Sequence, residues 1–112
     1  MSAEIDRLEF HRSTGELKWL PVVAAAFVKQ LPAWRLDFAA ALAAHDPRRQ
    51  AELLHKIRGA CHAVAACGAA EEIARAEAAL ALGQPLVPAR LLARLERVEA
   101  ELRLIAASEP AR

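Results

Sequence analysis

The segment LLHKIRGACHAVAACGA, residues 53–69, decides how this chain is read. At 100° per residue, Leu54, Ile57, Cys61 and Val64 share one face of a helix, which predicts a buried stripe. His55 then points about 140° from the centre of that stripe, toward solvent. Gly59 follows one turn above His55, and His62 two turns above it. An imidazole therefore stands on the outer face with no side chain in the next turn. A mid-helix glycine costs about 1 kcal/mol relative to alanine, and on an outer face no core packing offsets that cost. Close approach of another molecule beside His55 is a physical reason for it. Lys56 and Arg58 flank the same surface and can attract an anion, since a guanidinium hydrogen-bonds phosphoryl oxygens well.

Working outward, His45-Asp46-Pro47 is a stop and restart, with Asp46 as an N-cap and Pro47 at the first helical position. The third helix is predicted from Pro47 to about Cys67, with Gly68 ending it or bending the chain. Upstream, Leu20, Val23, Phe27, Leu31, Trp34, Phe38 and Leu42 recur at steps of three or four. That stripe predicts a second helical stretch from about Glu16 to Ala44, with Pro21 in a first turn and a kink or break at Pro32. Trp19 and Trp34 sit in or beside the stripe and are expected in the core. A short leading helix, Ala3 to Phe10, is broken by Ser13-Thr14-Gly15. Downstream, a fourth helix covers Ala69 to Ala81, closed by Gly83 and Pro85. A fifth runs from Pro88 to about Ala107, with Leu91, Leu95, Val98, Leu102 and Ile105 facing inward. Glu71 and Glu72 are expected in the first turn of the fourth helix, where they suit its dipole. Arg90, Arg94, Arg97 and Arg103 alternate with Glu96, Glu99 and Glu101, which reads as a solvated face with local ion pairs. Short turns between long amphipathic helices imply antiparallel neighbours. The expected fold is all-α: an up-and-down antiparallel four-helix bundle with a short additional N-terminal helix, in one domain spanning residues 1–112 with its core at about 16–107.

Composition narrows the function. Apolar residues make up 55% of the chain but aromatics only 4%, and there is no tyrosine, so helices are favoured over strands. The formal net charge of +1 lacks the basic excess of a nucleic-acid or membrane-surface binder. The longest apolar runs, Leu20–Val28 and Ala60–Ala70, fall short of the roughly 20 residues a membrane span needs. No direct membrane insertion is expected, and the charged start MSAEIDRLEFHR does not read as a signal peptide. Cys61 and Cys67, six apart in one predicted helix, lie on different faces and are expected unpaired, which fits a reducing, cytoplasmic setting. His55, Cys61, His62 and Cys67 lack the i, i+3 or i+4 spacing of ligands on one helix, so no metal site is expected. His11 and His45 fall near predicted helix ends and read as surface residues. No phosphate-cradling glycine loop and no acidic cluster for Mg²⁺ is present. The exposed imidazole of His55 is the candidate nucleophile. If it takes part in phosphoryl transfer, the metal and charge-stabilising groups come from a partner.

The run HKIRGACHAVAACGA, residues 55–69, resembles the signature of the histidine-containing phosphotransfer (Hpt) family: a histidine, a basic residue three on, a glycine four on, small residues, then a further glycine. His55 matches the phosphoacceptor, Arg58 the basic position, which is more often lysine, and Gly59 the glycine. The resemblance extends upstream through FVKQLPAWRLDFAAALAAHDPRRQAELLH and downstream through GAAEEIARAEAAL. It implies a helical module that takes a phosphoryl group from a response-regulator receiver aspartate and passes it to another. The implied partners are such receivers and a hybrid sensor histidine kinase. The implied module is not an enzyme: it hydrolyses no ATP, has no cofactor of its own, and uses Mg²⁺ held by the receiver. Two positions depart from the pattern. The second glycine usually comes ten residues after the histidine, where this chain has Ala65; Gly68 comes three later, as if the acceptor helix were almost one turn longer. The position seven after the acceptor is typically small, and here it is His62. These departures keep a second reading open, an Hpt-like adaptor that binds a response regulator without phosphotransfer. A third is a structural or dimerisation bundle, which would leave a contiguous apolar patch exposed.

Overall fold

The computed structural model describes residues 3–108, and these contain five α-helices and one 3-10 turn, with no strand among them. In order they are α1 (Arg7–Ser13), the 3-10 turn Leu17–Trp19, α2 (Leu20–Ala43), α3 (Pro47–Ala63), α4 (Cys67–Ala81) and α5 (Pro88–Ala107). No described helix is long and apolar enough to cross a membrane. α2 packs against α3 and α5, while α4 packs against α3 and α5. The core lies between them. α3 contributes Leu53, Leu54, Ile57 and Cys61, and α5 contributes Leu91, Leu95, Val98, Leu102 and Ile105. α2 adds Leu20, Ala24, Phe27, Leu31, Trp34, Phe38 and Ala41. Phe27 and Trp34 meet edge to face, with centroids 5.5 Å apart. The inward stripes of α3 and α5 are those the periodicity predicts. In α2, Val23 and Leu42 pack only partly against the core, and Ala24 and Ala41 take the buried positions.

Local chemistry sets the boundaries. Asp46 caps α3 by accepting the Arg49 N–H at 3.1 Å, with Pro47 in the first turn, as the sequence indicates. His45, in the turn before it, has φ of 51°. Gln50, buried beneath the turn, donates from Nε2 to the Ala41 carbonyl at 3.1 Å. Pro32 does not break α2, which runs unbroken for 24 residues. The ring lies on the exposed side of the helix, so the missing hydrogen bond falls where water can substitute.

Other boundaries differ from expectation. The leading helix is Arg7–Ser13 rather than Ala3 to Phe10, because Asp6 is its N-cap, accepting the Glu9 N–H at 2.9 Å. Ser13 stays helical, with its hydroxyl donated to the Glu9 carbonyl. Ile5 and Phe10 are buried, so the core reaches beyond residues 16–107. Trp19 stands on the surface rather than in the core, with the Lys18 ammonium 5.4 Å from its ring centroid.

α3 ends at Ala63, not near Cys67, and α4 starts at Cys67 rather than Ala69. The turn is made by Val64, Ala65 and Ala66, all buried, with Ala65 at a φ of 58°. The Ala65 carbonyl accepts the Asp6 N–H at 2.9 Å, so the segment before α1 closes over this turn. Gly68 lies inside α4 and does not end a helix. A Cβ there would collide with the guanidinium of Arg94, so the glycine makes room for that side chain.

Arg94 explains one further departure. Its Nε donates to Glu4 at 3.0 Å and its Nη1 to Glu72 at 3.3 Å, with Arg97 and Arg90 at the outer edges of the cluster. Glu72 therefore tethers α4 to α5 rather than completing a first turn. Glu101 accepts the Glu4 and Ile5 backbone N–H groups. Glu99 is buried between Arg35 of α2 and Arg103, whose Nη2 lies 2.7 Å away. The charged side of α5 is thus a set of ties between elements, not only a solvated face. Burial alone would raise the pKa of Glu99, but Arg103 and Arg35 outweigh it and hold the carboxyl below its ordinary value of 4.5. Folded Glu99 consequently binds its proton less readily than unfolded Glu99. Its contribution is full above that ordinary value and is lost as the pH falls through the lower folded one. Glu99→Gln is expected to destabilise the protein by about 2 kcal/mol at pH 7. Urea unfolding at pH 7 and pH 3 should show the gap between parent and variant narrowing in acid.

Candidate functional site

The buried stripe of α3 turns His55 outward. Its side chain is 72% exposed, and two contacts meet at Nδ1. Arg58, one turn on, places Nη2 3.0 Å from Nδ1. Glu77, reaching across from α4, places Oε2 3.3 Å from the same atom. Arg58 Nε and Glu77 Oε1 are 2.6 Å apart, a charge contact whose two atoms are shielded from solvent but not aligned as a hydrogen bond. No described side chain hydrogen-bonds Nε2 of His55. The result is an imidazole gripped at one nitrogen and free at the other.

The sequence-predicted residues divide into two groups. His55 and Arg58 belong to one cluster, whereas Lys56, Gly59 and His62 are exposed beside it and make no side-chain contact with it. Gly59 faces open space, with no atom beyond its chain neighbours and its own helix backbone within 4 Å of where a Cβ would sit. The bare turn beside His55 is therefore not filled from within the fold. Ala65, ten residues after His55, has the left-handed backbone that favours glycine. The acceptor helix thus ends before that position and is not a turn longer, whatever the place of Gly68.

Glu77 is the residue the sequence reading missed. It lies four after Ile73 and three before Leu80, in line with inward positions of α4. A carboxylate at such a position is the available signal, because a charge there needs a partner.

The thiols do not compete with His55 as nucleophiles. Burial, followed by the charge of Glu4, pushes Cys61 up to about 12. Burial, then Asp6, Glu9 and Glu71, raises Cys67 also. A thiol reacts as its thiolate, so both are quiet near neutral pH. The two lie in different helices, and both are unpaired. Among the described residues no three His, Cys, Asp or Glu side chains are grouped to hold a metal ion.

A scan against protein-family models finds no match, and searches of curated proteins and of solved structures find none either.

Because nothing in the fold contacts the bare face of Gly59, its replacement should help the helix. Gly59→Ala is expected to raise stability by about 0.5–1 kcal/mol, measured as a later urea midpoint with an unchanged slope.

Proposed function

We propose that this protein is a histidine phosphotransfer module of the Hpt type, in which His55 carries a phosphoryl group between receiver-domain aspartates. On this reading α2 to α5 form an up-and-down antiparallel four-helix bundle, with α1 as the additional N-terminal helix. The observation that carries the proposal is the solvent-facing imidazole with Nδ1 held by Arg58 and Glu77 and Nε2 unengaged. A neutral imidazole with its proton on Nδ1 has its lone pair on Nε2. That lone pair forms the N–P bond as the P–O bond to the donor carboxylate breaks, the bonding pair leaving with the carboxylate. The ring becomes positively charged, and Glu77 stabilises that charge. The reverse step returns a neutral ring and delivers the phosphoryl group to the next aspartate.

Arg58 and Lys56 supply positive charge for the phosphoryl oxygens. Gly59 lets a partner come close, and the exposed His62 stands at the margin of the same face. Mg²⁺ belongs to the receiver in this scheme, and the module acts as carrier rather than enzyme. The partners are response-regulator receivers and a hybrid sensor kinase, and the setting is cytoplasmic.

A second reading is an adaptor that binds a regulator without accepting phosphate. It is favoured by His62, whose imidazole occupies a position where the Hpt signature has a small residue.

The test is transfer from a radiolabelled phospho-receiver with Mg²⁺ to the parent and to His55→Gln. Label on the parent that is lost in acid, survives base and is absent from the variant is the expected result. Equal labelling of the variant would sink the carrier reading, and no transfer to the folded parent would favour the adaptor. Gly59→Ala, although more stable, should slow transfer on this scheme.

A further inference from the structure

Two groups meet His55 Nδ1, and they demand opposite things of it. Arg58 Nη2, at 3.0 Å, can only donate, so this contact needs a lone pair on Nδ1. The ring proton must then sit on Nε2, and a neutral ring in that form has no lone pair on Nε2 with which to attack. Glu77 Oε2, at 3.3 Å, can only accept when ionised, so this contact needs the proton on Nδ1. One nitrogen cannot serve both. The Arg58 contact is the shorter, and its guanidinium also lies against Glu77, with Nε 2.6 Å from Oε1 as an ion pair that is not aligned as a hydrogen bond.

We infer, building on the reading of His55 as phosphoacceptor, that Arg58 is a tautomer latch: at rest it holds His55 in the unreactive form, and the incoming phosphoryl group releases it. The phosphoryl oxygens are stronger acceptors for a guanidinium than a neutral ring nitrogen is. As Nη2 turns to them, Nδ1 takes a proton from water and Nε2 gives one up. Glu77 then accepts the Nδ1–H, and Nε2 has its lone pair. Attack forms the Nε2–P bond while the P–O bond to the donor aspartate breaks, its electron pair remaining on the carboxylate. Glu77 is a positioning residue here, whereas Arg58 passes from the ring nitrogen to the phosphoryl oxygens; at Nδ1 the two act in opposite senses. The site is armed by the anion it is to receive, and electrophiles without that charge meet an unreactive ring.

The tautomer can be read directly, without any donor protein, from long-range ¹H–¹⁵N spectra of the imidazoles at a pH where His55 is neutral. His55→Gln assigns the signal, and exposed His11 serves as an internal reference. In the parent, His55 is expected to carry its proton on Nε2. Arg58→Met, which keeps the length and removes the donors, should move the proton to Nδ1, changing the ratio by about tenfold or more. Glu77→Met should leave it on Nε2. A parent ring already protonated on Nδ1, or an Arg58→Met ratio equal to the parent's, overturns the latch. The parent spectrum decides the matter even if the Arg58 variant does not fold. Failure here leaves the carrier reading to the His55→Gln labelling experiment, and a failure there leaves the tautomer result standing.

Discussion

The inward anchoring of α3 is the constraint on which the surface chemistry depends. Leu53, Leu54, Ile57, Cys61 and Val64 are each at most 3% exposed. Rolling the helix by one residue would put several of them in water, at about 1.5–3 kcal/mol for each large side chain. It would also bury an imidazole and a guanidinium. Against a total stability of roughly 5–15 kcal/mol for a domain of this size, that roll is prohibitive. The exposure of His55 is therefore a consequence of core packing. The approach of Glu77 has the same origin, since Ile73 is fully buried and fixes the face that α4 turns inward.

The charged residues do a different job from the apolar ones. Glu99 with Arg35 and Arg103, and Glu4 with Arg94 and Glu72, join segments far apart in sequence. Such groups lose hydration on folding, and their mutual attraction roughly restores it, so they add less stability than their number suggests. Their effect is on arrangement. A helix packed only through alanine and leucine has several neighbouring registers of similar energy. A guanidinium seated over Gly68 and shared by two carboxylates fits one of them.

Much of this was legible in one dimension, and the misses have physical causes. The all-helical class, the stripes of α3 and α5, the Asp46–Pro47 cap and the outward His55 follow from periodicity and capping, which are local. The end of α3 is hidden in the sequence because Gly68 is the obvious breaker, whereas it is an alanine that turns the chain. Val64, Ala65 and Ala66 could do so because their burial and the hydrogen bond from Asp6 support a backbone that alanine adopts reluctantly. Glu72, Glu99 and Glu101 read as surface charges because their partners lie on other helices. Glu77 escapes notice for the same reason: its meeting with His55 is a fact about two helices, not one.

His55, Arg58 and Glu77 all lie on α3 and α4, and the most distant pair is 22 residues apart. A contact of such short loop length costs little closure entropy, and it forms with the helical hairpin that contains it. The outer surfaces of α2 and α5 contribute no atom to the cluster. Those surfaces are free to diverge by substitution while the hairpin keeps its chemistry, so recognition and reactivity can evolve on separate pieces of the same small chain.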